Sequence, residues 1–233
     1  LANNAIVNNT FSGAISVDNG TLITGNTGAL NPASPNVITL GSGSTAGILR
    51  LNGTSIAVGG LSTAGSMGGA NIVDNGNASA GLAIKNASGN IFNGTLANGS
   101  IGILSISKSG AGTMSLTGLN TYTGSTTVTQ GILQLNRTGG STIPSGNSVS
   151  VSSTGVLRIS SDQTLANLTL STGGKLQVDA GVTLTITGTY NPATCFIQND
   201  GTIRLQGGAL QSFPGTNASV ISMNNLIINN AFG

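Results

Sequence analysis

Lys108–Asn136 reads KSGAGTMSLTGLNTYTGSTTVTQGILQLN and holds two short strand patterns of one design, Gly112–Leu116 and Gly131–Leu135. Between them lie a polar turn, Gly118–Gly124, and a β-branched run, Ser125–Thr129. In each pattern large aliphatics occupy the second and fourth positions after the glycine, with a polar residue between them. That is the alternation of a strand with one face turned inward. The stretch also recurs: Asn9–Leu22 (NTFSGAISVDNGTL), near the start of the chain, aligns without a gap on Asn120–Leu133 (NTYTGSTTVTQGIL).

The strand unit, Gly-x-[Leu/Ile/Met]-x-[aliphatic or Thr], recurs along the chain, with copies beginning at Gly20, Gly47, Gly102, Gly112, Gly131, Gly155, Gly174 and Gly201. Outside the close pair Gly102 and Gly112 and the gap from Gly47 to Gly102, successive copies recur at a narrow range of spacings, the shortest from Gly112 to Gly131 and the longest from Gly20 to Gly47. The gap holds a frame-shifted version, Gly81–Ile84, and predicts an irregular coil there. A period of this size, one strand unit plus turns, belongs to a solenoid. Several units follow a second strand, Val149–Val151, Leu168–Leu170 or Phe196–Ile197. Polar turns are therefore expected at Thr129–Gln130, Ser152–Thr154, Ser171–Gly173 and Gln198–Asp200.

Pro32, Pro35, Pro144, Pro192 and Pro214 all fall in loop-like stretches and interrupt no strand unit. No segment has the sustained spacing of a helix, which excludes helical and α/β solenoids. A sandwich of antiparallel hairpins fits the strand spacing too. The same inward residues at the same offsets favour parallel coils, stacked with Leu over Leu inside. We expect an all-β right-handed parallel solenoid of roughly 19–27 residues per coil, with positions 1–233 as one continuous segment.

Length suffices for a sizeable core. Hydrophobic residues make up 38% of the chain against 5% charged, and there are 37 glycines, no Trp, no His and no Glu. A mean hydropathy of +0.25 with a formal charge of +2 is the opposite of a disordered, charge-rich chain. Asn, Ser, Thr and Gly stand where Glu, Lys and Arg would cover a compact enzyme, so the surface is polar and uncharged. The seven basic residues are scattered, which offers no footing for nucleic acid or an anionic membrane. No apolar run approaches the ~20 residues of a membrane-spanning helix. Leu1–Asn4 lacks the basic and apolar regions of a signal peptide, so any targeting segment is expected to be removed or to lie outside this sequence.

Without histidine, neither a Ser-His or Cys-His nucleophile nor a Cys/His zinc site can form. No catalytic residue, cofactor or metal is expected, and no side chain is expected to titrate between about pH 5 and 8. Cys195, followed by Phe196 and Ile197, reads as a small buried hydrophobe. Carboxylate-pair hydrolysis needs two acids about 5–10 Å apart. Asp162, Asp179 and Asp200, with Arg158, Lys175 and Arg204, are the candidates for such a face. Arg50, Arg158 and Arg204 follow Gly47, Gly155 and Gly201 at one common offset, and Lys175 directly follows Gly174. These outward slots read either as a basic ladder facing acidic glycans or as ordinary solvated charges. Tyr122 and Phe11, equivalent in the two copies, are expected to cover the end of the core at a coil corner rather than to stack on a sugar.

The opening stretch resembles the autotransporter-associated β-strand repeat of very large bacterial surface and secreted proteins. Its pattern, K-x-G-x-G-T-L-x-L-x-G-x-N-T-Y-x-G-x-T-x-V-x-x-G-x-L-x-L, is met at Lys108, Gly110, Gly112, Thr113, Leu116, Gly118, Asn120, Thr121, Tyr122, Gly124, Thr126, Val128, Gly131, Leu133 and Leu135, with Met114 in place of the usual Leu. In the last third, Leu184–Tyr190, Asn199–Leu205, Gln211–Gly215 and Met223–Asn230 resemble repeats in giant surface proteins of the Bacteroidota, many exported by type IX secretion.

These resemblances imply a right-handed parallel β-helix used as a stalk, fibre or adhesin, secreted by or displayed on a Gram-negative bacterium. They bring no shared catalytic residues. The partners expected are neighbouring solenoid repeats, copies of the chain stacked end to end, and surface glycans. Leu1–Val7 and Leu226–Phe232 both read as strand without charged or helical cover, as at the middle of a longer solenoid or in a self-stacking filament subunit. A carbohydrate-binding or carbohydrate-cleaving β-helix is the alternative reading.

Overall fold

The computed structural model of the chain describes residues 9–208, 211 and 220–230. Its strands wind into a β-solenoid of about nine turns in which every ladder is parallel. The expected Leu1–Val7 strand and Pro214 lie outside the described residues. Coil length varies as the spacing of the strand unit implies, from the short step that sets Met114 beside Leu133 to the long one that sets Gly20 beside Gly47.

A turn passes through three faces. The first carries Ile15–Val17, Val37–Leu40 and Gly60–Thr63, then Asn90–Phe92 and Thr113–Leu116. It continues through the second halves of Thr126–Leu135 and Ser148–Ile159, then Lys175–Val178 and the starts of Phe196–Gly207 and Val220–Asn230. The second face begins with Gly20–Ile23, Gly47–Arg50, Ile72–Asp74 and Thr95–Ala97. It resumes at Gln163–Leu165, Thr183–Ile186 and the second half of Phe196–Gly207. The third carries Ile56–Val58, Ala80–Ile84, Leu104–Lys108, the first halves of Thr126–Leu135 and Ser148–Ile159, then Asn167–Leu170 and Tyr190–Pro192.

The second and fourth positions of the strand unit point inward, as the alternation requires. Met114, Leu133, Leu157, Leu176 and Ile197 form one column across five coils, each fully buried. Leu116, Leu135, Ile159 and Val178 form the next. Gln134, Arg158, Gln177 and Gln198 stand between them and face out. Parallel sheets ordinarily hide both faces. Here a closed coil hides one, and uncharged polar side chains solvate the other.

Corners explain the rest of the repeat. A Cβ added at Gly47, Gly112, Gly155 or Gly174 would overlap the carbonyl oxygen of Val17, Ser88, Val128 or Val151 in the coil before, and at Gly201 that of Val182. Gly131 combines the same overlap, against Gly110, with a φ of +66°. Gly20 is needed for its φ of +85° instead, since an added Cβ would meet nothing within 4 Å. Where the ladder breaks, buried asparagines supply the missing backbone partners. Asn120 Oδ1 accepts from Leu96 N at 2.8 Å, and its Nδ2 donates to the carbonyls of Gly118 and Thr142. Asn71, Asn75 and Asn36 do the same at other corners. Each of these asparagines is bonded to the backbone of a neighbouring coil.

Several expectations change in detail. Thr129–Gln130, Ser152–Thr154 and Gln198–Asp200 are not turns but bends inside continuous strands, marked by register shifts and, at Ser153, a φ of +56°. Ser171–Gly173 is a turn, with Gly174 N bonded to Ser171 O. Pro192 ends a strand rather than lying in a loop; the ladder is kept by Ala193 N, which donates to Leu170 O at 2.7 Å. The irregular coil falls inside the expected gap. Gly60–Thr63 and Asn90–Phe92 lie side by side without a ladder, and a 3-10 turn, Gly68–Ala70, sits between them in sequence.

The two copies of the opening motif lie one face apart. Ile15–Val17 is on the first face, whereas the equivalent Thr126–Val128 is on the third. Leu133→Ala should cost ~2–5 kcal/mol as a cavity in the column, against ~0.5 kcal/mol or less for outward Gln134→Ala. Gly112→Ala should cost more than ~2 kcal/mol, because the backbone of the preceding coil cannot yield. Denaturant unfolding of the three variants checks the ranking, and equal losses would reverse the assignment of inside and outside.

Candidate functional site

The outer surface is built from hydroxyl and amide side chains, with few charges to organise a ligand. The four basic residues singled out in the sequence do not fall in one line. Arg50 is on the second face and pairs with Asp74 through Nε–Oδ1 and Nη2–Oδ2 contacts of 2.9 Å each. That bidentate pairing raises the guanidinium pKa and joins neighbouring coils. Arg158, on the first face, donates to Asp179 at 3.0 and 3.2 Å. Lys175 is on that face as well, with its ammonium 5.8 Å from the ring centre of Phe196. Arg204 is on the second face beside Thr185, and its Nε is buried without a partner among the described residues.

The acids are equally dispersed. Asp74 and Asp179 serve the two arginines, Asp162 accepts from Thr183 N at 2.8 Å, and Asp200 accepts from Gln198. Among the described residues no group of three or more Cys, Asp, Glu or His is gathered that could hold a metal ion. Cys195 is buried, as its apolar context implied. Tyr122 is fully buried and its hydroxyl lies 2.7 Å from Thr126 Oγ1. Phe11, its counterpart, is 41% exposed in the first described coil.

Three grooves formed by described residues differ in their lining. One, of about 410 Å³ on the third face, is floored by small residues such as Ala57, Gly81, Ala83, Ser105 and Ser107, with Lys85 at its side. A second, of about 580 Å³, runs along a corner past exposed Ile91 and Leu119 to Arg137. The third, of about 360 Å³ on the second face, is lined by Ser141, Asp162, three threonines and Arg204. The loop 136–141 separates the second groove from the third.

Lys108 is the functional-looking residue that sequence reading passed over. It holds a position of the repeat pattern, and Leu104, Ile106 and Lys108 alternate on one strand with all three side chains buried. Its ammonium donates to the carbonyls of Gly110 and, at 3.2 Å, Gln130. Burial lowers its pKa to about 8. Burial also raises the Tyr122 phenol to about 12 and moves Tyr190 in the same direction.

These shifts set the pH response. Below about pH 8 Lys108 is protonated both folded and unfolded, and the fold bears the cost of the buried charge. From there to pH ~10.4 the unfolded chain binds the extra proton, so stability rises with pH, by about 2–3 kcal/mol at most. From pH ~10 toward 12 the unfolded tyrosines ionise while Tyr122 stays neutral in the fold, and stability falls. Thermal melting should be level between pH 5 and 7, climb toward pH 9–10 and then drop. Lys108→Met should abolish the climb, and a wild-type curve flat up to pH 10 would mean that the ammonium is solvated.

Comparison with known proteins agrees with the repeat geometry. The passenger-associated-transport-repeat family matches residues 7–23 and 106–135, the two stretches that carry the recurring motif. The chain is 35% identical over 204 residues to an adhesin, the BmaC autotransporter of Brucella suis biovar 1 (strain 1330), over 81% of this chain. It spans 6% of that protein's length. Neither match supports the Bacteroidota-type resemblance of the last third. No solved structure matches.

Proposed function

We propose that this chain, with passenger-associated transport repeats at both copies of its motif and a parallel solenoid through its described residues, is an autotransporter passenger-like repeat segment, a structural and adhesive rod of a bacterial surface protein. The likeness to a curated autotransporter adhesin along 81% of the chain carries this reading. Display outside a Gram-negative cell belongs to the same proposal. So does a non-enzymatic role, which the dispersed acids support.

The proposed partners are further solenoid repeats, of the same protein or of a second copy. Val220–Asn230 is paired along one side with Phe196–Gly207, and its other edge is unpaired among the described residues. Leu226 and Ile228, beside buried Ile203 and Leu205, are exposed at core-facing positions. An apolar strand edge of this kind is a template for another coil. A filament of such chains would use the same edge.

Fusion of the chain to an autotransporter translocation domain in a non-adherent Gram-negative host tests the proposal. The rod should be digested by protease added to intact cells, and the cells should bind epithelial monolayers above the vector control. Exposure without adhesion would remove the adhesive half, and a segment never exposed would remove both. For the edge, the purified chain should associate reversibly in sedimentation, and Ile228→Lys should return it to a monomer.

A further inference from the structure

The groove on the second face is composed unlike the other two, and its polar groups are laid out by the ladder itself. Thr164, Thr185 and Arg204 are register partners on three successive coils, so they form a row with steps of ~4.8 Å. Asp162 flanks the row, held by Thr183 N on its Oδ1, with its Oδ2 uncommitted among the described residues. Ser141, from the loop 136–141, closes one end of the groove and is tied to the row by Thr164 N, which donates to its Oγ at 3.2 Å.

Arg204 differs from the other arginines that follow a strand-unit glycine. Arg50 and Arg158 each have a carboxylate, whereas Arg204 has no ion pair among the described residues and its buried Nε has no acceptor. A buried guanidinium donor without a partner is costly. A planar carboxylate satisfies it, because the guanidinium fork matches two parallel oxygens.

The geometry points to a binding site for a saccharide bearing one carboxylate, a uronic acid unit within a glycan. Arg204 takes the carboxylate, the threonine hydroxyls follow the ring hydroxyls from coil to coil, and Asp162 Oδ2 accepts from a hydroxyl at the far end. One cation and one carboxylate in the same groove also select against polyanions. A phosphate chain or nucleic acid would gain one arginine and meet the repulsion of Asp162. The lining has no aromatic side chain to stack on a sugar, so a single site is weak and a glycan reaching several copies gains by avidity. The inference deepens the surface-adhesive reading and rests on it for its biological use, while the chemistry of the groove stands on its own.

The test is titration of the isotope-labelled, intact chain with a glucuronic-acid-containing disaccharide, followed by amide NMR. Shifts should gather at residues 140–142, 162–165, 183–186 and 203–205. Arg204→Gln should weaken binding tenfold or more while leaving the amide spectrum outside the groove unchanged. Thr185→Val should weaken it several-fold, and Arg158→Gln on the other face should change nothing. Reducing the uronate to the neutral sugar should cost as much as Arg204→Gln.

Equal binding of the neutral disaccharide would overturn the site, as would equal binding of acetate or an acidic dipeptide. The same holds for shifts that survive Arg204→Gln or for no shifts at millimolar disaccharide. Cells that display the rod and adhere while the groove binds nothing would sink the site and leave the surface reading standing. A chain that binds the disaccharide but is neither displayed nor adherent would do the reverse.

Discussion

Successive coils are held at the spacing of a parallel ladder, and at each corner this brings a backbone carbonyl against the α-carbon of the next coil. Little else in the sequence is as constrained. Where Ser88 O faces Gly112 or Val151 O faces Gly174, no side chain fits. Where the bend withdraws a backbone partner, an asparagine such as Asn120 must replace it. Glycines such as Gly112 and Gly174 and asparagines such as Asn120 are thus products of coil-to-coil contact rather than of flexibility. A corner also receives the Lys108 ammonium, whose donors meet the carbonyls of Gly110 and Gln130.

The strand units were legible because period-two alternation marks which residues are buried whatever face they occupy. Leu133 and Leu135, or Ile203 and Leu205, are inward on different faces for the same reason. The face itself was not legible. Corner lengths vary, so coils are unequal in length, and between Asn9 and Asn120 the accumulated difference carries the motif from one face to another. That is why Phe11 and Tyr122, equivalent in sequence, have unlike surroundings. It is also why Arg50, Arg158 and Arg204 share a slot after glycine and yet form no single row.

Some signals were present and went unused. The alternation Leu104, Ile106, Lys108 places the lysine inside with the same force as it places the two aliphatics. Arg50 and Asp74 stand one coil apart in sequence, which is the separation at which outward residues become neighbours. Thr164, Thr185 and Arg204 are related in the same way, each one coil from the next, by steps that are not equal. In a solenoid, chemistry is assembled from residues one coil apart, and the irregular length of the coil conceals it from any fixed-period reading.

The unbroken passage of Thr126–Leu135, Ser148–Ile159 and Phe196–Gly207 through their corners has a mechanical meaning. Backbone hydrogen bonds between coils run along the rod, so tension on its ends is opposed by one coil's ladder at a time. A coil that peels away gives up ~4.8 Å of rod and releases ~60–95 Å of extended chain. A cell tethered through such a segment would yield in steps under shear flow, lengthening its tether while the remaining coils stay wound.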